Sequence, residues 1–244
     1  MRKEITASLC SCSQGRIDIV DDVHSADILL SLGGDGTLLN TLPVVGDSEV
    51  PVLGLNLGRL GFLTGVGKDD IPRLASLLIE GAFDYEKRQV LEISCSSFEQ
   101  PLFALNEAAI LRDENTSTVS VEVFVDNLLL NIYSGDGVIF ATPTGSTAYS
   151  MSCGGPILTP QADNIVITPV ASHTLTVRPI VLRGDSVINA VCPSVCKLTL
   201  DSRNYSIDAA ANICIRRAGF SFVTMKPKGK EFFETLRDKL FWGK

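Results

Sequence analysis

Read for its alternation of apolar and polar positions, the chain falls into two stretches of different character. In the first, the short apolar runs RIDIV (16–20), ADILLSL (26–32) and PVLGLN (51–56) are separated by segments of helical period. Leu38, Leu39 and Leu42 recur at helical spacing in TLLNTLP (37–43), where Pro43 is expected to stop the helix. KDDIPRLASLLIEGAF (68–83) predicts a second helix, with acidic residues in its first turn and Gly81 at its end. Buried apolar runs separated by helices predict an α/β domain with an open, mostly parallel sheet.

From Lys87-Arg88 onward the helical period disappears. The strand candidates are VLEISC, FALNEAAIL, TVSVEVFVD, LLLNIYS, GVIFATP, NIVITPV, RPIVL, DSVINAV, KLTLD and NICIRR, separated by turn signals such as VDN, SGDG and RGD. Many short strands in series predict an all-β sandwich-like or barrel-like domain. The ending KGKEFFETLRDKLFWGK (228–244) brings Phe232, Phe233, Leu236, Leu240 and Phe241 onto one helical stripe, which needs a surface to dock on. The expected organisation is therefore an α/β domain over 1–87, a sandwich-like domain over 88–224 and a helical tail over 225–244 that docks back on the first domain. The two GDG triplets, at 34–36 and 135–137, have unlike flanks and mark no internal repeat.

Composition narrows the classes. With 244 residues, 45% hydrophobic and 20% charged, the chain has ample material for a folded core. No apolar run approaches the roughly 20 residues that span a bilayer. The opening MRKEITASLCSCSQGR has no apolar signal core followed by a cleavage site, so a cytoplasmic protein without a membrane partner is expected. A net charge of −7 and the lack of a basic stripe argue against a nucleic-acid partner. The seven cysteines form no CxxC pair and only His24 and His173 accompany them, which argues for reduced thiols rather than a structural zinc site; no residue is assigned to a metal.

The first chemical signal is SLGGDGTLLN (31–40), a Gly-rich turn between a strand and a helix. Such a turn offers free N–H groups to phosphate oxygens, and glycines let a ligand approach the backbone closely. It has neither the GxxxxGK[ST] spacing of a Walker A loop nor a dinucleotide GxGxxG. A carboxylate, Asp35, in the middle of such a loop makes sense if it faces a metal ion or the hydroxyl about to attack phosphorus. Otherwise Asp35 caps the helix or fills the turn. The second signal, GDGVIFATPTGSTAYSMSCGGP (135–156), packs hydroxyls around Gly145 and suits a ligand rich in donors and acceptors, such as a purine or sugar; the plainer reading is a loop with ordinary local hydrogen bonds. The third is ALNEAAIL (104–111), in which Asn106 and Glu107 interrupt an apolar run and must find partners if buried; an amide beside a carboxylate suits the vicinal hydroxyls of a ribose.

GGDGTLL (33–39), NLGRLGFLT (56–64), LNE (105–107), TPTGSTAYSMSCGGP (142–156) and ASHTLTVRP (171–179) occur in this order, and together they resemble the NAD kinase family over about residues 20–220 and on into the tail. GGDGT alone is shared with diacylglycerol kinases, sphingosine kinases and phosphofructokinases; TPTGSTAYS with the downstream GGP is far more specific. The resemblance implies a fold of the NAD kinase/diacylglycerol kinase-like type, an α/β nucleotide-binding domain followed by a β-sandwich-like domain. It implies transfer of a phosphoryl group from ATP, or in some members polyphosphate, to the 2′-hydroxyl of NAD's adenosine ribose, giving NADP, with Mg²⁺ or another divalent cation. It also implies a homodimer or homotetramer.

Residue by residue, the resemblance implies that Asp35 is the general base or orients the attacking hydroxyl. Gly33, Gly34, Gly36 and Thr37 would hold donor phosphates, with Arg59 near enough to add positive charge. Asn106 and Glu107 would bind the accepting ribose. Thr144, Thr147, Ala148 and Tyr149 would line the adenine pocket with Ser152 nearby, and Phe62 would pack near the adenine. Asp136 would contact the nicotinamide end of NAD. His173 has the family's flanks but is equally a structural histidine. Where the family commonly reads Asp-Gly-Gln, this chain reads Asp201-Ser202-Arg203, and those residues are left out of the site. Members of the family usually begin with a strand, loop and helix that are not recognisable here. A lipid or sugar kinase of the same superfamily would share GGDGT but has no use for the TPTGSTAYS pocket. A non-catalytic NAD-sensing module would keep the pocket without turnover.

Overall fold

A computed structural model describes residues 2–58, 61–229 and 231–242. The chain divides into two compact units, Met1–Lys87 with Phe222–Lys244, and Arg88–Ser221.

The first unit is built on a parallel sheet. Leu29–Leu32 pairs in parallel with Val52–Leu55, whose other edge pairs in parallel with the strand Asn212–Pro227 through Thr224 and Met225. Val52–Leu55 is buried at all four positions, which is why its sequence reads as a continuous apolar run rather than an alternating one. Leu53, Leu55, Val66, Leu74, Ala75, Phe83 and Met225 share a core with Ile5 and Leu9 of the helix Arg2–Cys12.

Local structure departs from expectation in four places. RIDIV (16–20) forms no strand, and Ile19 and Val20 lie exposed. The helix expected over 37–43 is two short ones, Asp35–Leu39 and Leu42–Val45. Pro43 opens the second instead of stopping the first, because a proline in a first turn gives up an N–H that has no intrahelical partner. The helix expected over 68–83 is a 3₁₀ segment, Lys68–Arg73, followed by a single α segment, Leu74–Ile79. Pro72 removes an N–H and disfavours helical backbone in the residue before it, so regular α geometry begins beyond it. The helix Arg2–Cys12 has no strong signature, since among its described side chains Ile5 and Leu9, one turn apart, are the ones that reach the core.

The second unit is a sandwich of two sheets. In one, Val119–Val125 lies between Leu128–Gly135 and Ile188–Val191, and the latter pairs with the beginning of Asn212–Pro227. The other runs Ile180–Arg183, Asn164–Val170, Gly137–Ala141, Glu107–Arg112, Cys196–Leu200 and Arg203–Ile207, antiparallel throughout. Val121, Val123, Ile188, Ala190, Ile213 and Ile215 of the first sheet meet Ile110, Val138, Phe140, Ile165, Ile167 and Leu198 of the second in one buried core. Ala109, Ile139, Ala141 and Val166 face the opposite side, under Cys153 and Leu158. FALNEAAIL splits into Leu102–Ala104, which pairs with Phe83–Cys95, and Glu107–Arg112, which enters the other sheet. Arg203–Ile207 is a strand that the apolar pattern did not announce.

Candidate active site

In the first unit the GGDG turn leaves the sheet after Leu32, and Asp35 opens the helix Asp35–Leu39 behind Gly34. The Asp35 side chain is half-buried, whereas Gly34, Gly36 and Thr37 are exposed. Its carboxylate points into the segment 61–64. Oδ2 accepts from Phe62 N–H at 2.7 Å. Oδ1 accepts from Leu63 N–H, Thr64 N–H and the Thr64 hydroxyl, each at 3.1 Å. The Thr64 hydroxyl oxygen in turn accepts from Asn56 Nδ2 at 3.2 Å and Gly61 N–H at 3.1 Å. A charge-assisted clamp of this kind holds an anionic side chain in one rotamer. It occupies Oδ1, while Oδ2 receives a single donor from the described residues and keeps an acceptor direction for another.

The clamp depends on Gly61, where a Cβ would stand 1.7 Å from Asp35 Oδ1. Gly61→Ala must displace either the carboxylate or the loop. It is expected to destabilise the fold by about 1–3 kcal/mol for each N–H left without its acceptor, which a urea melt checks.

In the second unit a second carboxylate organises the LNE segment. Asp201, 4% exposed, accepts from Leu105 N–H on Oδ2 at 2.6 Å and from Asn106 and Glu107 N–H on Oδ1 at 2.7 and 3.2 Å. These bonds break the strand candidate at Leu105-Asn106, because the N–H groups that would continue the ladder are turned toward Asp201. Thr142 N–H donates to Asn106 C=O at 2.9 Å, and its hydroxyl donates to Leu105 C=O at 2.6 Å, so the TPTGS turn lies directly on the LNE segment. Gly145 makes that approach possible, since a Cβ there would come within 2.0 Å of the Asn106 carbonyl oxygen.

Two polar atoms at this junction are buried and accept or donate nothing among the described residues, Glu107 Oε2 and Thr144 Oγ1. Burial pushes the Glu107 carboxyl up from its ordinary 4.5 to about 8; the Asp201 carboxylate adds to the rise and the Tyr149 backbone N–H opposes it. The Asp201 carboxyl is also raised, by burial, against its three N–H donors and Arg203. Tyr149, 38% exposed, opens the helix Tyr149–Ser152, and burial raises its hydroxyl, with Cys153, Asp136 and Glu107 as neighbouring charges. Unsatisfied buried polar atoms are rare in folded proteins and point to a missing partner.

The remaining residues fall in different settings. Asp136 is half-exposed and pairs with Arg112 Nε at 3.1 Å. Thr147 and Ala148 are half-buried, Ser152 is exposed, and Asn106 is half-buried beside Gly145. In the first unit, Gly33 is half-buried, with its N–H donating to Leu55 C=O. The Phe62 ring lies 6.3 Å from that of Phe232, with Lys239 Nζ 5.2 Å from its centroid. Arg59 lies outside the described residues. His173 is exposed, its N–H bonded to Ser134 C=O. Among the described residues no group of three or more His, Cys, Asp or Glu could hold a metal ion, so these side chains do not build a protein-only metal cage.

The ATP-NAD kinase N-terminal domain model matches residues 17–83 and the ATP-NAD kinase C-terminal domain model matches residues 105–225. NAD kinase of Flavobacterium johnsoniae is 40% identical over 227 residues, covering 90% of this chain and 77% of that protein. NAD kinase of Porphyromonas gingivalis is 41% identical over 220 residues, covering 89% and 76%.

The chain belongs to the NAD kinase family.

Solved structures agree with this. Yeast NADH kinase complexed with NADH superposes with a TM-score of 0.83 at 29% identity, covering 89% of this chain and 67% of that one. An NAD kinase from Archaeoglobus fulgidus in complex with ATP superposes with a TM-score of 0.83 at 26% identity, covering 98% and 94%. Within this NAD kinase fold, Asp201, Asn56, Thr64 and Arg112 support the motifs that the sequence singled out, yet sequence reasoning assigned none of them. For Asp201 the available signal was an acid closing the apolar run KLTLD, directly before a turn with left-handed backbone at Asp201 (φ 46°) and Ser202 (φ 84°).

Proposed function

We propose that this chain is an ATP-dependent NAD kinase in which Asp35 receives the 2′-hydroxyl of NAD's adenosine ribose. The observation that carries the reading is the clamped Asp35 carboxylate with an acceptor direction left on Oδ2. Phosphoryl transfer passes through a loose transition state that needs little covalent help, so a fixed acceptor for the attacking hydroxyl supplies orientation and takes its proton as the new P–O bond forms and the P–O bond between the γ-phosphorus and the β,γ-bridging oxygen breaks, releasing ADP. The exposed backbone at Gly34, Gly36 and Thr37 is open to donor phosphates. Mg²⁺ would be held by those phosphates more than by protein side chains and would supply neutralisation of their charge. ATP is favoured as donor because a neighbour of the same family was solved with it. The family resemblance supports a cytoplasmic homo-oligomer, which sedimentation and cell fractionation test.

In the second unit, Glu107 Oε2 and Thr144 Oγ1 are buried without a partner among the described residues, as are the two side-chain polar atoms of Gln89, and the first two suit the hydroxyls and ring nitrogens of the adenosine. Asn106, Thr147, Ala148, Tyr149 and Ser152 complete that pocket, and Asp136, oriented by Arg112, serves the nicotinamide end. Incubation with NAD, ATP and Mg²⁺ is expected to yield NADP. A lipid or sugar kinase yields none, and a sensing module binds NAD without converting it.

Glu107 gives the pocket a pH signature. Its folded carboxyl titrates near 8 against an ordinary 4.5, so the folded chain holds more protons than the unfolded one between these values. Its contribution to stability is therefore present at low pH and lost as pH rises from about 4.5 to 8. Ribose hydroxyls donating to the ionised carboxylate pull its pKa back down. NAD binding at pH 7 is then expected to release close to one proton, and Glu107→Gln is expected to abolish the release. Titration calorimetry in buffers of unlike ionisation enthalpy reads the number; equal heats in all buffers refute the assignment.

A further inference from the structure

Within the first unit, the C-terminal helix Phe232–Leu240 touches the segment that clamps Asp35. Its N-terminus is fixed by reciprocal side-chain to backbone bonds between Glu231 and Glu234, and Leu236 anchors it with 4% exposure. From this fixed frame Phe232 meets the Phe62 ring at 6.3 Å, tilted by 41°, and Phe233 packs edge-on against Phe232 at 5.6 Å. Lys239, nearly two turns further on, sets its ammonium 5.2 Å from the same Phe62 ring. Phe62 is also the residue whose N–H reaches Asp35 Oδ2, the oxygen left with an open acceptor direction. One residue thus carries the helix on its side chain and the carboxylate on its backbone.

We propose that Phe232 and Lys239 are positioning residues for Asp35, acting through Phe62, so that the C-terminal helix sets the aim of the carboxylate at the attacking hydroxyl. The inference rests on the catalytic reading of Asp35. Its physical basis is short leverage. The Phe62 ring is joined to its Cα through two side-chain torsions, which contact with Phe232 and Lys239 restricts to one rotamer, and the N–H on the same Cα takes one of the acceptor directions of Oδ2. Rotation of an unsupported Phe62 backbone swings the N–H away from Oδ2, leaving the carboxylate held through Oδ1 and freer to turn about it. Such a change falls mainly on rate, because neither Phe232 nor Lys239 is assigned a substrate contact; Phe62 itself is expected near the adenine, so any change in KM for NAD is expected to be smaller than the change in kcat.

The test uses full-length Phe232→Ala, Phe232→Tyr and Lys239→Gln, with Asp35→Asn as the reference. Phe232→Ala is expected to lower kcat about tenfold with KM for ATP unchanged within about twofold and KM for NAD changed less than kcat, and Phe232→Tyr, which keeps the ring, to restore kcat. Lys239 is exposed, so Lys239→Gln keeps the fold and is expected to lower kcat about two- to fivefold, the scale of an exposed cation over a ring. In a Phe62→Leu background, Phe232→Ala is expected to cost little more, since the path is already cut. Unchanged kcat in Phe232→Ala and Lys239→Gln, or a loss that falls on KM or is not restored by Phe232→Tyr, overturns the proposal. Should Phe232→Ala fail to fold, Lys239→Gln decides alone by the same criterion. If Asp35→Asn itself turns over normally, it is the catalytic reading that fails; if Asp35→Asn is inactive and both helix variants are normal, the positioning inference fails by itself.

Discussion

Asp35→Asn is expected to lower kcat by about 10²–10⁴-fold while NAD still binds, the range that removal of a positioned proton acceptor normally costs. The geometry adds a second consequence. Asparagine can place its carbonyl oxygen where Oδ1 accepts three donors, but its amide then stands at the Oδ2 position, facing the Phe62 N–H at 2.7 Å. Two donors cannot bond to each other, so the substitution also leaves an N–H unsatisfied, at a cost of about 1–3 kcal/mol. A fall in kcat with a modest loss in denaturation midpoint and a retained NAD Kd is the expected pattern. Near-normal turnover would refute the catalytic role. A large loss of NAD affinity would instead mean that Asp35 serves the ground state.

The same carboxylate shows what the sequence could reveal and where it stopped. A lone acid among glycines, between an apolar strand and a helix, is an anomaly visible by inspection, and GGDG and LGFLT could be quoted as motifs. That the second holds the first is a tertiary fact linking positions 27 to 29 residues apart. The α/β and sandwich classes were legible because buried strands such as Val52–Leu55 read as unbroken apolar runs and sandwich strands such as Asn164–Val170 are bounded by turns. Elements that rest on few core contacts were not. Arg2–Cys12 buries Ile5 and Leu9 among its described side chains, and Arg203–Ile207 alternates half-buried and exposed positions before Ile207. Pro43 is ambiguous in the sequence because a proline marks the end of one helix and the first turn of another equally well, and only the position of the preceding cap separates the two cases.

Asp201 is the sharper example, since the departure from the family's Asp-Gly-Gln kept it out of the site. Its role lies in partners 94 to 96 residues away, which no local pattern discloses. Asp201→Ala is expected to remove the acceptor of three N–H groups in and beside a buried strand. At about 1–3 kcal/mol for each donor left unsatisfied, the sum reaches much of a domain's usual stability of about 5–15 kcal/mol. Soluble yield and urea midpoint should both fall steeply, and an unchanged midpoint would show that the three bonds do not hold the LNE segment. Asp201→Asn separates stability from function. Its carbonyl can keep Asn106 and Glu107, while its amide opposes Leu105 N–H, so one bond is lost instead of three. The variant also takes a negative charge away from Glu107, whose carboxyl should then titrate below about 8. At pH 7 more of the free enzyme would carry Glu107 ionised, and the proton released on NAD binding should shrink accordingly. A release equal to that of the unsubstituted chain would mean that burial alone, without the second carboxylate, keeps Glu107 protonated.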